Sequence, residues 1–400
     1  MEKKHLAILC GVFFPNPSAT GQCVKRFSRL LSEEFDIDII CLSNDYSICD
    51  VELEQGIHIH TISCHRMSVE SHSKGLCKSF LHLIGCINIK TLLLGNMNWY
   101  RKAALRKLEE LHQVKSFDAV FSVCSPFAAH LAAKDFKLLH PSIRWCGYTV
   151  DPYSSKNRIR PIWCSYNRLV EYENKTLCAM DSALLSEEVF KNRPEIFNGT
   201  TYSEKLPYLL PDTVLMNNND FFENTCINCV YAGSFYRDIR NPEYMLKIFS
   251  SIDNSLIKLH LFCSGCEEII RKYADNKSIV VHPRIPAEDI SLVYQSADFL
   301  VNIGNTSTEF VPSKTFEYIS TGKPIIDFFY DGFPNEALFK YPLCCHLQIN
   351  DNSKNDQTLL DFIKNNSNKC VSIEEIEKIY SNHSRNSIHS ILRRNLFEGV

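Results

Sequence analysis

The sequence predicts an α/β protein made of two doubly wound, Rossmann-like units, and three observations carry that prediction. Apolar strand-like runs alternate with helical patterns in both halves of the chain, and this alternation implies parallel sheets covered on both faces. The alternation is interrupted once, where LPYLLPDTV gives way to the polar run NNNDFFENT, and it then restarts. Finally, 400 residues with 45% hydrophobic content are enough for two full cores. The predicted organisation is a first unit over 1–205, a linker over 206–225, a second unit over 226–370, and a helical segment over 371–400.

The elements follow in order. His5 to Phe13 is a continuous apolar run, then PNPSATGQ forms a loop, Cys23 to Leu31 has a helical pattern, and Asp36 to Leu42 reads as a strand. Further strands are expected over Gly56 to Ile62, Asp118 to Val123 and Ile143 to Val150. From Cys229 the pattern predicts a strand (CVYAGS), a helix over Pro242 to Ile252, and a strand over Leu256 to Phe262. A helix over Glu267 to Ala274, a strand over Ile279 to Val281, a helix over Ala287 to Gln295 and a strand over Asp298 to Ile303 complete it. In sheets of this kind ligands lie beyond the carboxyl ends of the strands.

Composition narrows the function. A formal net charge of -3 argues against a general nucleic-acid binder. The start MEKKHLAILCGVFF runs directly into Pro15 and Pro17 and reads as a buried strand, not a signal peptide. Eighteen cysteines scattered through strands and helices suit a reducing cytoplasm better than a disulfide framework. The pairs Cys226/Cys229 and Cys263/Cys266 have the look of a split zinc site, but positions i and i+3 on a strand point to opposite faces, so no metal is expected. The stretch 66–115 mixes Lys and Arg with apolar residues, Trp99 and Tyr100. It reads as two core helices or as a segment lying on the inner face of an anionic membrane, not as a spanning helix.

The segment EFVPSKTFEYISTGKPII, Glu309 to Ile326, is the most informative stretch. Pro312 suits the first turn of a helix that contains Glu317, Gly322 is placed to end it, and Pro324 prevents its continuation into an apolar strand. Helix N-termini bind phosphate, and carboxylates accept hydrogen bonds from sugar hydroxyls. The segment resembles the donor site of family-4 glycosyltransferases of the GT-B fold: a Glu, seven residues, then Glu, with P-S-K-x-F-E-Y and G-K-P.

The resemblance implies two facing units, a C-terminal helical segment over 371–400 that crosses back to the first unit, and transfer of a sugar from a nucleoside-diphosphate sugar to a hydroxyl acceptor. It also implies retention of anomeric configuration, no required metal or other cofactor, and a glycan or lipid-linked acceptor. By the same resemblance Glu317 holds the ribose hydroxyls, Glu309 faces the transferred sugar, and Ser313 and Lys314 lie near the phosphates. In YAGSFYRDIRNPE, Arg237 and Arg240 correspond to the basic pair that holds the pyrophosphate, at a different spacing, with Arg240 beside Asn-Pro as the better match. Arg forks bind phosphate bidentately and stay charged in any surroundings. Arg284 and Ile285, in VHPRIP, correspond to the nucleobase region.

The first unit offers fewer signals. Gly21, in the loop before a helix, allows close approach of a ligand. Asp151, in YTVDP, corresponds to an Asp-Pro that ends a strand, as an orienting group or base. His130, in SPFAAHLAAK, is a candidate acceptor-side catalyst, although a His beside Ala-Ala is commonly a packing residue. Two other functions fit the same chain: a sugar-nucleotide 2-epimerase, which needs further acids and bases and no acceptor, or a non-catalytic sugar-nucleotide-binding partner in a polysaccharide complex.

Overall fold

The computed structural model describes residues 3–15, 17–43, 50–54, 56–62, 97–155, 165–200, 202–211, 221–222, 225–252, 256–273, 275–283, 285, 289–306, 314–332, 335–350 and 355–398. They form two units, Met1–Leu209 with Arg385–Val400, and Leu210–Ser384.

In the first unit, eight strands form one sheet: β1 (Lys4–Phe14), β2 (Phe35–Ser43), β3 (Asp50–Glu54), β4 (Ile57–Ile62), β5 (Ala119–Cys124), β6 (Arg144–Thr149), β7 (Ser182–Leu185) and β8 (Ser203–Lys205). Their order is β3-β4-β2-β1-β5-β6-β7-β8, and only the edge strand β3 runs antiparallel to its neighbour. Leu6 to Cys10 and Ile37 to Cys41, apart from Asp38, are fully buried, as expected for strands covered on both faces. The covering helices include α1 (Ala19–Leu31), α2 (Asn98–Val114), α3 (Phe127–Leu139) and α4 (Tyr166–Leu177).

Sequence periodicity missed β3, β7 and β8, which are short and have no long apolar run. It also began the first helix too late: α1 starts at Ala19, because the Ser18 hydroxyl caps it by accepting from the Gly21 N–H at 3.1 Å. Within 66–115, residues 66–96 lie outside the described residues. Tyr100 on α2 is fully buried, with its hydroxyl donating to the Cys10 carbonyl at 2.7 Å, and Trp99 packs against the same core. Tyr100 is therefore a core residue, and Trp99 is partly buried beside it. No helix among the described residues is long and apolar enough to cross a membrane.

The second unit carries β9 (Ile227–Ser234), β10 (Ile257–Ser264), β11 (Ile279–Val281), β12 (Phe299–Ile303), β13 (Ile325–Phe329) and β14 (Cys344–Gln348) in the order β11-β10-β9-β12-β13-β14, all parallel. Helices α5 (Glu243–Ser251), α6 (Ile290–Ser296) and α7 (Lys314–Ser320) flank it. Phe249, Phe299, Val301, Phe328 and Leu347 fill the core on one face. Cys229 is fully buried in this core, and burial pushes its thiol well up, so it is a packing residue. Helix α7 ends as its sequence requires: Gly322 takes a φ of +74°, and a Cβ there would meet the Val371 carbonyl oxygen at 2.5 Å.

The expected helix over 371–398 is broken into pieces. Ile373–Ile379 stays with the second unit, and α8 (Arg385–Arg393) packs in the first. Behind α8, Asn395 bonds Ser182, accepts from Arg144 Nε at 2.6 Å through its carbonyl, and donates to Glu204 at 2.8 Å, while Phe397 stacks on Phe35 at 4.2 Å.

Candidate functional site

Each sheet changes its winding direction at one place. In the second unit the chain leaves β9 for β10 and β11 on one side, then returns to place β12 on the other, so the topological switch point lies between β9 and β12. Ligands of open α/β sheets bind beyond the carboxyl ends of the strands at that point. The residues that follow β9 and β12 are the ones that carry Arg240, Lys314 and Glu317.

The loops after these two strands are stitched together. The Thr306 N–H donates to the Ile239 carbonyl and its hydroxyl to the Asp238 carbonyl, both at 3.0 Å. Tyr236 and Arg240 close a short turn through paired backbone bonds of 2.7 and 3.2 Å. The Arg240 guanidinium is half-buried, with Nε and Nη2 donating to Asn305 Oδ1 at 3.1 and 2.7 Å and Nη1 to the Ser234 carbonyl at 3.4 Å. The Tyr231 hydroxyl donates to the same Ser234 carbonyl at 3.4 Å.

Helix α7 is pinned to the same edge. The Tyr318 hydroxyl, fully buried, accepts from the Ala232 N–H at 3.2 Å, and its ring meets Tyr294 of α6 edge-on at 5.1 Å. Lys314 Nζ donates to the Tyr294 hydroxyl at 3.4 Å. Burial pulls the Lys314 ammonium below its ordinary pKa; the Glu317 carboxylate opposes that shift and the Arg240 guanidinium adds to it. Two cations and one carboxylate therefore share one electrostatic neighbourhood. Crowded cations on a half-buried edge are costly unless an anion joins them.

Other sequence-predicted residues lie elsewhere. Arg237 is not part of this group: it is largely exposed and pairs with Glu268 at 3.1 Å. Ile285 is half-buried beyond the end of β11. Glu309, Ser313 and Arg284 lie outside the described residues. The histidine chain His282, His260 and Asn228 is joined at 2.8 and 3.0 Å, and burial lowers His260 to about 4.

In the first unit the switch point lies between β1 and β5. Gly21 sits tightly against that end of β1. A Cβ would meet the Val12 carbonyl oxygen at 2.4 Å, so its bareness serves the packing of α1 on β1, and its N–H is taken by the Ser18 cap. His130 is likewise withdrawn: its ring is fully buried, Nδ1 lies 2.8 Å from Ser122 Oγ and Nε2 3.3 Å from Thr149 Oγ1. Desolvation lowers its pKa to about 3, so the ring is held neutral between these two hydroxyls.

Asp151 is different. It follows β6 and is half-buried, and desolvation raises its carboxyl to about 6. The loop that carries it is held by Glu173, whose buried carboxylate accepts from the N–H groups of Tyr153 and Ser154 at 2.6 and 2.8 Å. Tyr153 in turn stacks on Phe127 at 4.3 Å. Sequence reading missed Glu173, Asn305, Tyr294 and Tyr318. Asn305 had a signal, since Gly304-Asn305-Thr306 directly follows an apolar strand at its carboxyl end; the other three become visible only through their partners.

The sequence matches no protein-family model and no curated protein. Solved structures do match in shape. A sucrose-phosphate synthase from Thermosynechococcus elongatus superposes with a TM-score of 0.68 at 11% identity, covering 98% of each chain. The fold is that of GT-B glycosyltransferases. A lipopolysaccharide outer core galactosyltransferase of this fold gives a TM-score of 0.57 at 10% identity over 98% of both chains. Another GT-B structure, described as trehalose-6-phosphate from E. coli bound with UDP-2-fluoro glucose, gives 0.59 at 10% identity over 98% of this chain and 96% of that one.

Proposed function

We propose that this chain is a glycosyltransferase that moves a sugar from a nucleoside-diphosphate sugar to a hydroxyl acceptor, with the donor at the β9/β12 switch point. The convergence of Arg240, Lys314 and Glu317 on that edge carries the reading. Arg240 and Lys314 would take the diphosphate, whose charge grows as the glycosidic bond breaks, and Glu317 would accept hydrogen bonds from the ribose hydroxyls. Glu309 would face the sugar, Ser313 the phosphates, and Arg284 with Ile285 the base, as the donor-site resemblance implies.

In this reading the reaction is family-4-like and retaining. The acceptor oxygen forms the new bond to the anomeric carbon, the bond to the diphosphate oxygen breaks, and the acceptor proton passes to the departing phosphate. No metal is required. Asp151, half-buried and titrating near 6, is the acceptor-side group of the first unit. Surface-polysaccharide or other glycan assembly, on a lipid-linked or glycan acceptor at the cytoplasmic face of a membrane, is the setting this chemistry suits.

Titration calorimetry with uridine, guanosine, adenosine and thymidine diphosphates tests the reading. One of them should bind the wild type, and Glu317→Ala should weaken it roughly 10- to 100-fold, as expected for losing hydrogen bonds to a charged group, with thermal unfolding unchanged. Equal affinity in the variant would defeat the assignment of Glu317.

A further inference from the structure

Arg240 has an uncharged anchor. Among the described residues no carboxylate forms an ion pair with it, in contrast to Arg237, whose charge is met by Glu268. Two of its N–H groups, on Nε and Nη2, converge on one oxygen, Asn305 Oδ1, at 3.1 and 2.7 Å. This grip fixes the guanidinium plane. Nη1 reaches the Ser234 carbonyl at 3.4 Å, which restrains the other end of the fork against β9.

Asn305 is itself held in place. It is 7% exposed, it sits between Gly304, whose N–H donates to the Phe328 carbonyl at 2.8 Å, and Thr306, which bonds the Ile239 and Asp238 carbonyls. The amide therefore belongs to the rigid seam between the β9 and β12 loops. A carboxylate at the same position could make the same two hydrogen bonds, and with better energy, but it would cancel the charge of Arg240. An amide orients the cation and leaves that charge for a ligand.

We infer that Asn305 is a positioning residue that holds the Arg240 guanidinium, un-neutralised, at the β9/β12 switch point for the diphosphate of the donor. The inference rests on the donor-site reading above. It adds a requirement that reading does not contain: the residue at 305 must accept hydrogen bonds and must be neutral.

The test is calorimetry with the tightest-binding of the four nucleoside diphosphates and with its parent nucleoside, on the wild type, Arg240→Ala, Asn305→Ala, Asn305→Asp and the Arg240→Ala/Asn305→Ala double variant. Asn305→Ala should weaken diphosphate binding roughly tenfold, the usual worth of one charge-assisted contact. Asn305→Asp should weaken it about as much as Arg240→Ala, although it preserves shape and hydrogen bonding. Nucleoside affinity should stay at the wild-type value throughout, which also shows that each variant is folded at the site. The double variant should bind no more weakly than Arg240→Ala alone, because Asn305 acts through Arg240.

Wild-type diphosphate affinity in Asn305→Asp, or additive losses in the double variant, would overturn the role of Asn305 while leaving the donor site standing. If a variant loses nucleoside binding as well, its role is to hold the fold and the inference fails. A wild type that binds none of the four diphosphates defeats the donor-site reading itself, and that result is seen before any substitution is made.

Discussion

Beyond the strand ends of the second unit, polar side chains hold one another open: Asn305 orients Arg240 without neutralising it, and Tyr294 holds Lys314 near Glu317. In the first unit the corresponding polar groups are mostly closed on themselves. Ser18 takes the Gly21 N–H, Ser122 and Thr149 take both nitrogens of His130, and Glu173 takes the loop after Asp151. The difference teaches how to sort polar residues near a switch point. A group whose partners saturate it builds the fold, and a group whose partners leave its charge available is a candidate for a ligand.

The largest effect expected from this sorting is acid sensitivity at His130. Its folded pKa, near 3, lies below the ordinary 6.5, so the folded state binds fewer protons than the unfolded chain. The stabilisation is fully present above 6.5 and is lost as pH falls, at roughly 1.4 kcal/mol per pH unit, on the order of 4 kcal/mol by pH 3.5. Denaturation read by tryptophan fluorescence, with all three tryptophans in the first unit, should show this slope for the wild type and a flatter one for His130→Leu. An unchanged slope would show that burial does not hold His130 neutral.

Next is Gly21→Ala. The added methyl has only 2.4 Å to the Val12 carbonyl oxygen, and the substitution should cost about 2 to 3 kcal/mol in urea unfolding, with nucleoside-diphosphate affinity untouched. A loss of affinity without a loss of stability would show that Gly21 meets a ligand after all.

Asp151 is the exception in the first unit, and Asp151→Asn sharpens the comparison. A carboxyl raised to about 6 keeps its proton longer when folded, so its ionisation costs stability as pH rises from 3.8 through 6. The amide avoids that cost. At pH 7.5 the variant should be more stable by about 1 to 2 kcal/mol, a value reduced for partial solvent screening, and the gain should vanish by pH 4. If Asp151 serves the acceptor, transfer to it should fall in the same variant while diphosphate binding persists.

The smallest effect belongs to Arg237→Ala. Its pair with Glu268 is largely exposed, so both stability and diphosphate affinity should change by less than about 0.5 kcal/mol. A loss comparable to that of Arg240→Ala would mean that both arginines reach the phosphates.

Local patterning determined a good part of this protein. The long apolar runs of β1, β2, β9 and β12 are legible because strands buried on both faces need uninterrupted hydrophobicity, and Gly322 is legible because only glycine takes a φ of +74° without strain. Likewise, the nearness of Lys314 to Glu317 follows from three-residue spacing on a helix. Tertiary structure alone decided the rest. Strand order, which puts the switch point between β9 and β12, depends on pairings 70 residues apart in the chain, such as Asn228 with Asp298. The same holds for Arg240 and Asn305, separated by 65 positions, and for His130, whose surroundings come from β5 and β6. A sequence records which side chains can donate, accept or carry charge; whether a neighbour saturates them or leaves them available is fixed only when distant strands meet.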